Sequence, residues 1–196
     1  IWGEVTADPS IIADEDMVYK DGYVEMINKV FKDKPQADII VFELNYLNRF
    51  TQGRKPNRKM KRVRIYNSLR YGAARIAIKK ESLIKSNIWF SLLYGGYAPY
   101  SCGEDALFIR EALKKGLKIY ASPYVIANVE QESSSWFKGY TVKFYIDRGI
   151  WLANAFPIMK YLLGLYYVWR IRNTTKEFSN IQILKMIFKG IKDFNK

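Results

Sequence analysis

The sequence predicts an α/β fold, a sheet flanked by helices, followed by a helical C-terminal extension. Three observations carry that expectation. Asp38 to Leu44 (DIIVFEL) is a run of β-branched and apolar residues of the kind that fills a strand buried on both faces. Such runs alternate with segments of helical apolar period, notably Tyr23 to Lys34 and Glu104 to Lys115. Beyond Trp136 the pattern is helical to the end, with breaks near Pro157 and Asn173.

Taken in order, Ile11-Ile12-Ala13 reads as the tail of a buried strand that delivers Asp14-Glu15-Asp16 at its C-terminal end. Asp21-Gly22 then punctuates. The helix from Tyr23 carries Val24, Ile27, Val30 and Phe31 on one face, and Pro35 stops it. After the DIIVFEL strand, every charged residue from Arg49 to Arg64 is basic, and Gly53 and Pro56 indicate a loop. That loop is either a solvated surface segment or a flap over phosphates or anionic lipid.

Ala73 to Ile78 reads as a strand, and Glu81 to Lys85 as a short helical turn. Leu93 to Gly103 is dense in Gly and Tyr: Gly95-Gly96 permits close backbone approach, and tyrosines suit stacking on a sugar. Glu104 to Lys115 is the clearest helix. Ser101 and Glu104 have capping-box spacing, Gly116 supplies the stop, and Lys114-Lys115 complement the dipole. Leu117 to Tyr120 and Tyr124 to Val129 read as two strands separated by Pro123.

Composition narrows the chemistry. At 196 residues, 49% hydrophobic and 26% charged, the chain can bury a core. Its net charge of +13 calls for an anionic partner: a nucleotide diphosphate, nucleic acid or an anionic membrane face. With no histidine, Ser-His-Asp and Cys-His machinery is excluded, as is mixed Cys/His zinc. Any metal is hard and held by oxygen. The single Cys102 excludes an internal disulfide and fits a reducing compartment.

The acidic residues concentrate at two element ends. Asp14 and Asp16 can face one cation only if the strand has ended, since side chains alternate along a strand. A divalent ion there would bridge phosphate oxygens of a nucleotide diphosphate. Asp105, on the first turn of its helix, is either an acid that gains about 0.3–1 kcal/mol from the helix dipole, or a base aimed into a cleft.

The residues Tyr71 to Ala155, with SCGEDALFIREALKKGLKIYASP at their centre and SSSWFKGY after it, resemble the C-terminal half of a family 2 glycosyltransferase, in particular the bacterial enzymes of cell-surface polysaccharide assembly. Ile11 to Leu44 resembles the segment of that family that carries its Asp-x-Asp motif. The resemblance implies a GT-A-like fold, with a mixed, mostly parallel sheet between helices. It implies an inverting, metal-dependent transferase acting on a nucleotide-sugar donor and a saccharide or lipid-linked saccharide acceptor, and no nucleic acid. Asp14 and Asp16 match the motif that binds donor diphosphate and Mn²⁺ or Mg²⁺. Glu104 and Asp105 match the catalytic acidic pair, with Asp105 as the base. Tyr94, Gly95, Gly96, Tyr97 and Trp136 fall on the acceptor side. Residues 1–157 correspond to the C-terminal portion of such a domain, with its N-terminal nucleotide-binding part upstream of Ile1, and residues 158–196 form a basic tail.

Tyr161 to Trp169 is apolar but far shorter than the about 20 residues that a spanning helix needs. Ile181, Leu184, Ile187, Phe188 and Ile191 recur at helical spacing among lysines. They mark a helix packed on the main domain, or an interfacial helix on anionic lipid. The expected location is the cytoplasm, with peripheral attachment to the inner membrane face as the variant. The competing expectations are a non-catalytic basic module binding membrane or nucleic acid, and an inactive transferase fragment.

Overall fold

A computed structural model describes residues 8–14, 17–47, 56–95, 98–101, 103–130, 139–174 and 177–194. The chain divides into two compact units. The first comprises Ile1–Ser91 and Asp105–Ser133, the second Leu92–Glu104 and Ser134–Lys196.

The first unit is built on a sheet. Its elements are β1 (Ser10–Ile11), β2 (Met17–Tyr19), α1 (Tyr23–Asp33), β3 (Ile39–Tyr46), β4 (Lys61–Arg62), β5 (Ile76–Ile78), α2 (Lys80–Ser86), α3 (Glu104–Lys114) and β6 (Ile119–Val129). The strand order is β1-β5-β3-β6-β2, with β4 also on β6. The sheet is mixed, as expected, but the mostly parallel description holds only for its long central ladder, β3 with β6. The outer pairings, β1–β5, β3–β5, β2–β6 and β4–β6, run antiparallel.

Alternation along the strands divides the core in two. Ile39 and Val41 of β3 join Ile76 and Ile78 of β5, Leu83 of α2 and Phe108, Ile109 and Ala112 of α3 on one face. Ile40, Phe42 and Leu44 meet Ile27, Val30 and Phe31 of α1 on the other. Period 2 in the strands and period 3.6 in the helices thus converge on a sheet covered on both sides. Helix α3 stops where Gly116, at φ 84, turns the chain, and Leu117 N–H donates back to Ala112 C=O at 3.0 Å.

Several local expectations are corrected. The two strands anticipated around Pro123 are one, β6, which accommodates Pro123 as an irregularity: Val41 faces Ala121 and Glu43 faces Val125. The basic segment is not loop throughout, because Lys61–Arg62 pair with Ala121 and Tyr120 and Arg62 lies over the Tyr120 ring at 5.0 Å. Residues 49–55 of that segment lie outside the described residues. At the same irregularity, Glu43 is buried. It accepts hydrogen bonds from Asn57 N–H at 3.0 Å and Asn57 Nδ2 at 2.6 Å, and pairs with Arg75 at 3.5 Å.

The second unit is helical: α4 (Val142–Ala155), α5 (Lys160–Ile171) and α6 (Asn180–Asp193). Thr141 caps α4, and Ser179 with Gln182 forms a capping box on α6. Helices α4 and α6 cross backbone to backbone. A Cβ on Gly149 would sit 2.1 Å from the Ile187 carbonyl oxygen, and one on Gly190 would sit 2.0 Å from that of Ile146. The packed alternative therefore holds for α6, whose Ile183, Ile187 and Ile191 are buried. No helix among the described residues is long and apolar enough to cross a membrane.

Candidate active site

Strands β1 and β2 stand at opposite ends of the strand order, and β1 runs parallel to β3 while β2 runs antiparallel to β6. The end of β1 and the start of β2 therefore both lie toward the end where β3 and β6 finish, the usual location of ligand crevices in α/β sheets. Asp14 follows β1 at that end. Its side chain is exposed, and its carbonyl accepts from Met17 N–H at 3.4 Å, closing a turn. It also helps hold the Tyr19 hydroxyl above its ordinary range, behind the larger effects of burial and Tyr23. Among the described residues no three metal-ligating side chains cluster. The Asp14 carboxylate offers only oxygen, the donor type that suits a hard cation.

Asp105 comes to the same end of the sheet from another direction. Gly72 precedes β5, which is antiparallel to β3, so Gly72 lies toward the end where β3 finishes. The Asp105 carboxylate packs on it: a Cβ at Gly72 would be 3.1 Å from Oδ2. Phe108, Ile109 and Ala112 fix α3 on the sheet below, and Phe108 stacks on Phe90 with centroids 4.2 Å apart. Asp105 is partly exposed at the helix tip while the rest of that face is buried.

Within the second unit, the loop that ends at Glu104 is tied to one face of α4. Lys143 Nζ donates to Pro99 C=O at 2.7 Å, and Ser101 N–H donates to Asp147 Oδ2 at 3.0 Å. Trp151 Nε1 donates to Gly103 C=O at 3.1 Å, and Asn154 Nδ2 donates to the Tyr94 hydroxyl at 3.2 Å. These helix positions are four, four and three apart, one stripe of α4. Lys143 also pairs with Asp147 at 2.7 Å, compensating a buried carboxylate. Gly95, at φ 130, lies against Glu104, and a Cβ there would be 3.6 Å from Oε1.

The anticipated capping box at α3 is absent. The helix starts at Glu104 itself, and the Ser101 hydroxyl is buried without a hydrogen-bond partner among the described residues. Tyr94 is also not displayed to a ligand. Its ring is buried, burial raises its hydroxyl pKa, and its role here is to anchor the loop. Asp16, Gly96, Tyr97 and Trp136 lie outside the described residues.

No protein-family model and no curated protein matches this sequence. Solved structures do. TarS of S. aureus, in its 1–349 form, superposes with a TM-score of 0.55 over 98% of this chain and 49% of its own, at 12% identity. A second TarS structure gives the same TM-score over 89% of this chain and 30% of its own, at 14% identity. The chain shares the fold of these structures, a mixed sheet flanked by helices. It spans about half the length of the shorter TarS form and less than a third of the longer.

On this fold the acidic residues singled out in the sequence, Asp14 and Asp105, stand at one end of the sheet. The residues that sequence reasoning missed are Gly72 and the α4 stripe. Lys143, Asp147, Trp151 and Asn154 had a signal, since polar or hydrogen-bonding groups recur at helical spacing in a largely apolar helix. Gly72 had none, because its significance is a contact with a residue 33 positions away in the chain.

Proposed function

We propose that this chain is the catalytic portion of an inverting glycosyltransferase of family 2 type. It would move a sugar from a nucleotide-diphosphate sugar to an acceptor hydroxyl in cell-surface polysaccharide or glycolipid synthesis. The observation that carries the reading is the Asp105 carboxylate at the tip of α3, against Gly72, at the end of the sheet where β3 and β6 finish. That is where a base serving a ligand in an α/β crevice belongs.

In this reading the acceptor oxygen forms a bond to the anomeric carbon from the face opposite the leaving group. The bond from that carbon to the diphosphate oxygen breaks, and the acceptor proton passes to Asp105. Glu104 shapes the acid pair beside it. Asp14 and Asp16 would hold Mn²⁺ or Mg²⁺, whose charge would offset that of the leaving diphosphate. The family resemblance assigns Gly95, Gly96, Tyr97 and Trp136 to the acceptor, a saccharide or lipid-linked saccharide.

Turnover of a panel of nucleotide sugars with Mn²⁺ tests this. Asp105→Asn is expected to lower turnover by about 10² or more, with the fold retained by circular dichroism, and Asp14→Ala and Asp16→Ala to weaken Mn²⁺ dependence. A wild type that Asp105→Asn does not alter overturns the reading. A protein with no turnover and tight, salt-sensitive RNA binding would be a basic binding module instead.

A further inference from the structure

We infer that the outer face of α5 is a docking surface for an anionic lipid bilayer, on which the helix lies parallel to the membrane plane. Helix α5 buries Gly164 and Val168 and leaves a stripe outside. Tyr161, Leu162, Leu165, Tyr166 and Trp169 fall within one side of a helical wheel, and all are exposed, Leu162 at 61% and Trp169 at 60%, as is Ile158 in the turn before the helix at 95%. Large apolar side chains this exposed and this contiguous mark a contact surface rather than ordinary solvent-facing residues. With 12 residues the helix is too short to cross a bilayer and long enough to lie on one.

Charge selects the occupant. From Ile158 to Lys176 the chain has no acidic residue, and Lys160, Arg170 and Arg172 bracket the stripe. Arg172 donates to the Trp169 carbonyl at 2.7 Å and stacks on its indole at 4.9 Å, so a cation and a tryptophan stand together at one end. At the other end Tyr161 meets Phe188 of α6 edge to face at 5.2 Å, and a shallow groove continues past Phe188 among Lys185, Lys189 and Lys192, with Asp193 as its one acidic lining residue. Apolar and aromatic residues exposed along one side, with cations at both ends of the helix, suit a helix lying at the boundary between acyl chains and anionic headgroups. A second copy of this face fits poorly, because any pairing of α5 with itself sets lysine and arginine against lysine and arginine. The interfacial role that the α6 sequence pattern suggested thus passes to α5, since α6 spends its apolar face on α4.

Flotation with vesicles tests it, using phosphatidylcholine alone and phosphatidylcholine with about a third phosphatidylglycerol, at low and high salt. The wild type is expected to float with the anionic vesicles at low salt. Leu165→Glu or Trp169→Glu, both at exposed positions, should lower the bound fraction about ten-fold. Arg170→Glu with Arg172→Glu should remove most of the salt-sensitive binding, and circular dichroism should match wild type in every variant. Absence of flotation at low salt overturns the inference, as does flotation that Leu165→Glu leaves unchanged. A concentration-dependent oligomer abolished by Leu165→Glu, without flotation, would assign the face to a protein partner and overturn it equally. Flotation reads the α5 face alone, whatever the sugar-transfer assay gives.

Discussion

The indole of Trp151 occupies the space that a side chain at Gly103 would need. Gly103 sits at φ 111, a Cβ built on it would lie 2.3 Å from Trp151 Cδ1 and Nε1, and the same indole N–H donates to the Gly103 carbonyl at 3.1 Å. The residue before Glu104 is thereby fixed by both shape and a hydrogen bond. Gly103→Ala is expected to destabilise by more than about 2 kcal/mol, through overpacking and a left-handed backbone, and to lower nucleotide-sugar turnover. Trp151→Phe keeps most of the ring, loses the donor, and should cost about 1 kcal/mol. Urea denaturation of the two variants checks the order.

Gly72 separates stability from activity. Its backbone is not in the left-handed region, so alanine brings no strain of its own, but the new methyl would stand 3.1 Å from Asp105 Oδ2. The carboxylate must shift by a few tenths of an ångström. Gly72→Ala should change stability by less than about 1 kcal/mol and, in the proposed reaction, lower turnover about ten-fold, because displacing the proposed base costs alignment. Unchanged turnover in a folded variant would remove Asp105 from the reaction.

The α4–α6 crossing depends on two glycines. Alanine at Gly149 or Gly190 drives a methyl into a backbone carbonyl, at 2.1 and 2.0 Å, with no flexible side chain to give way. Either substitution should cost about 3 kcal/mol or more, beyond what ordinary overpacking costs, and should lower the thermal midpoint. Gly116→Ala serves as the comparison, since nothing lies within 4 Å of its Cβ and only its φ of 84 resists. It should cost about 1 kcal/mol.

Burial pushes the Tyr145 hydroxyl pKa up from 10.0 to about 12, with smaller contributions from Tyr167, Tyr140 and Glu177. The folded state therefore retains its proton where the unfolded chain has lost it. Stability from this group is complete below pH about 10 and falls as the pH rises through about 12. Its hydroxyl is buried with no hydrogen-bond partner among the described residues, so Tyr145→Phe should leave neutral stability within about 1 kcal/mol of wild type or raise it. The variant should also flatten the alkaline limb of a denaturation–pH profile. An unaltered limb would mean that another group governs alkaline unfolding.

Local sequence determined where the elements lie, because each has a periodicity of its own. The 3.6-residue spacing of Ile27, Val30 and Phe31, the β-branched run from Ile39, and the stop at Gly116 are readable without knowing what they touch. Residue type likewise marked Asp14 and Asp105, since carboxylates at element ends are conspicuous in a chain of this charge. Only the tertiary structure decided what covers each apolar face. Periodicity says that α6 has a buried side, not whether α4 or lipid buries it; the Gly149 and Gly190 approach settles that for α4 and leaves α5 facing outward. The same holds for β6, where pairing with β3 carries one strand past Pro123, and for Gly72, whose role exists only as a distance to Asp105. Close approach between residues far apart in the chain is a property of packing, and no local pattern encodes it.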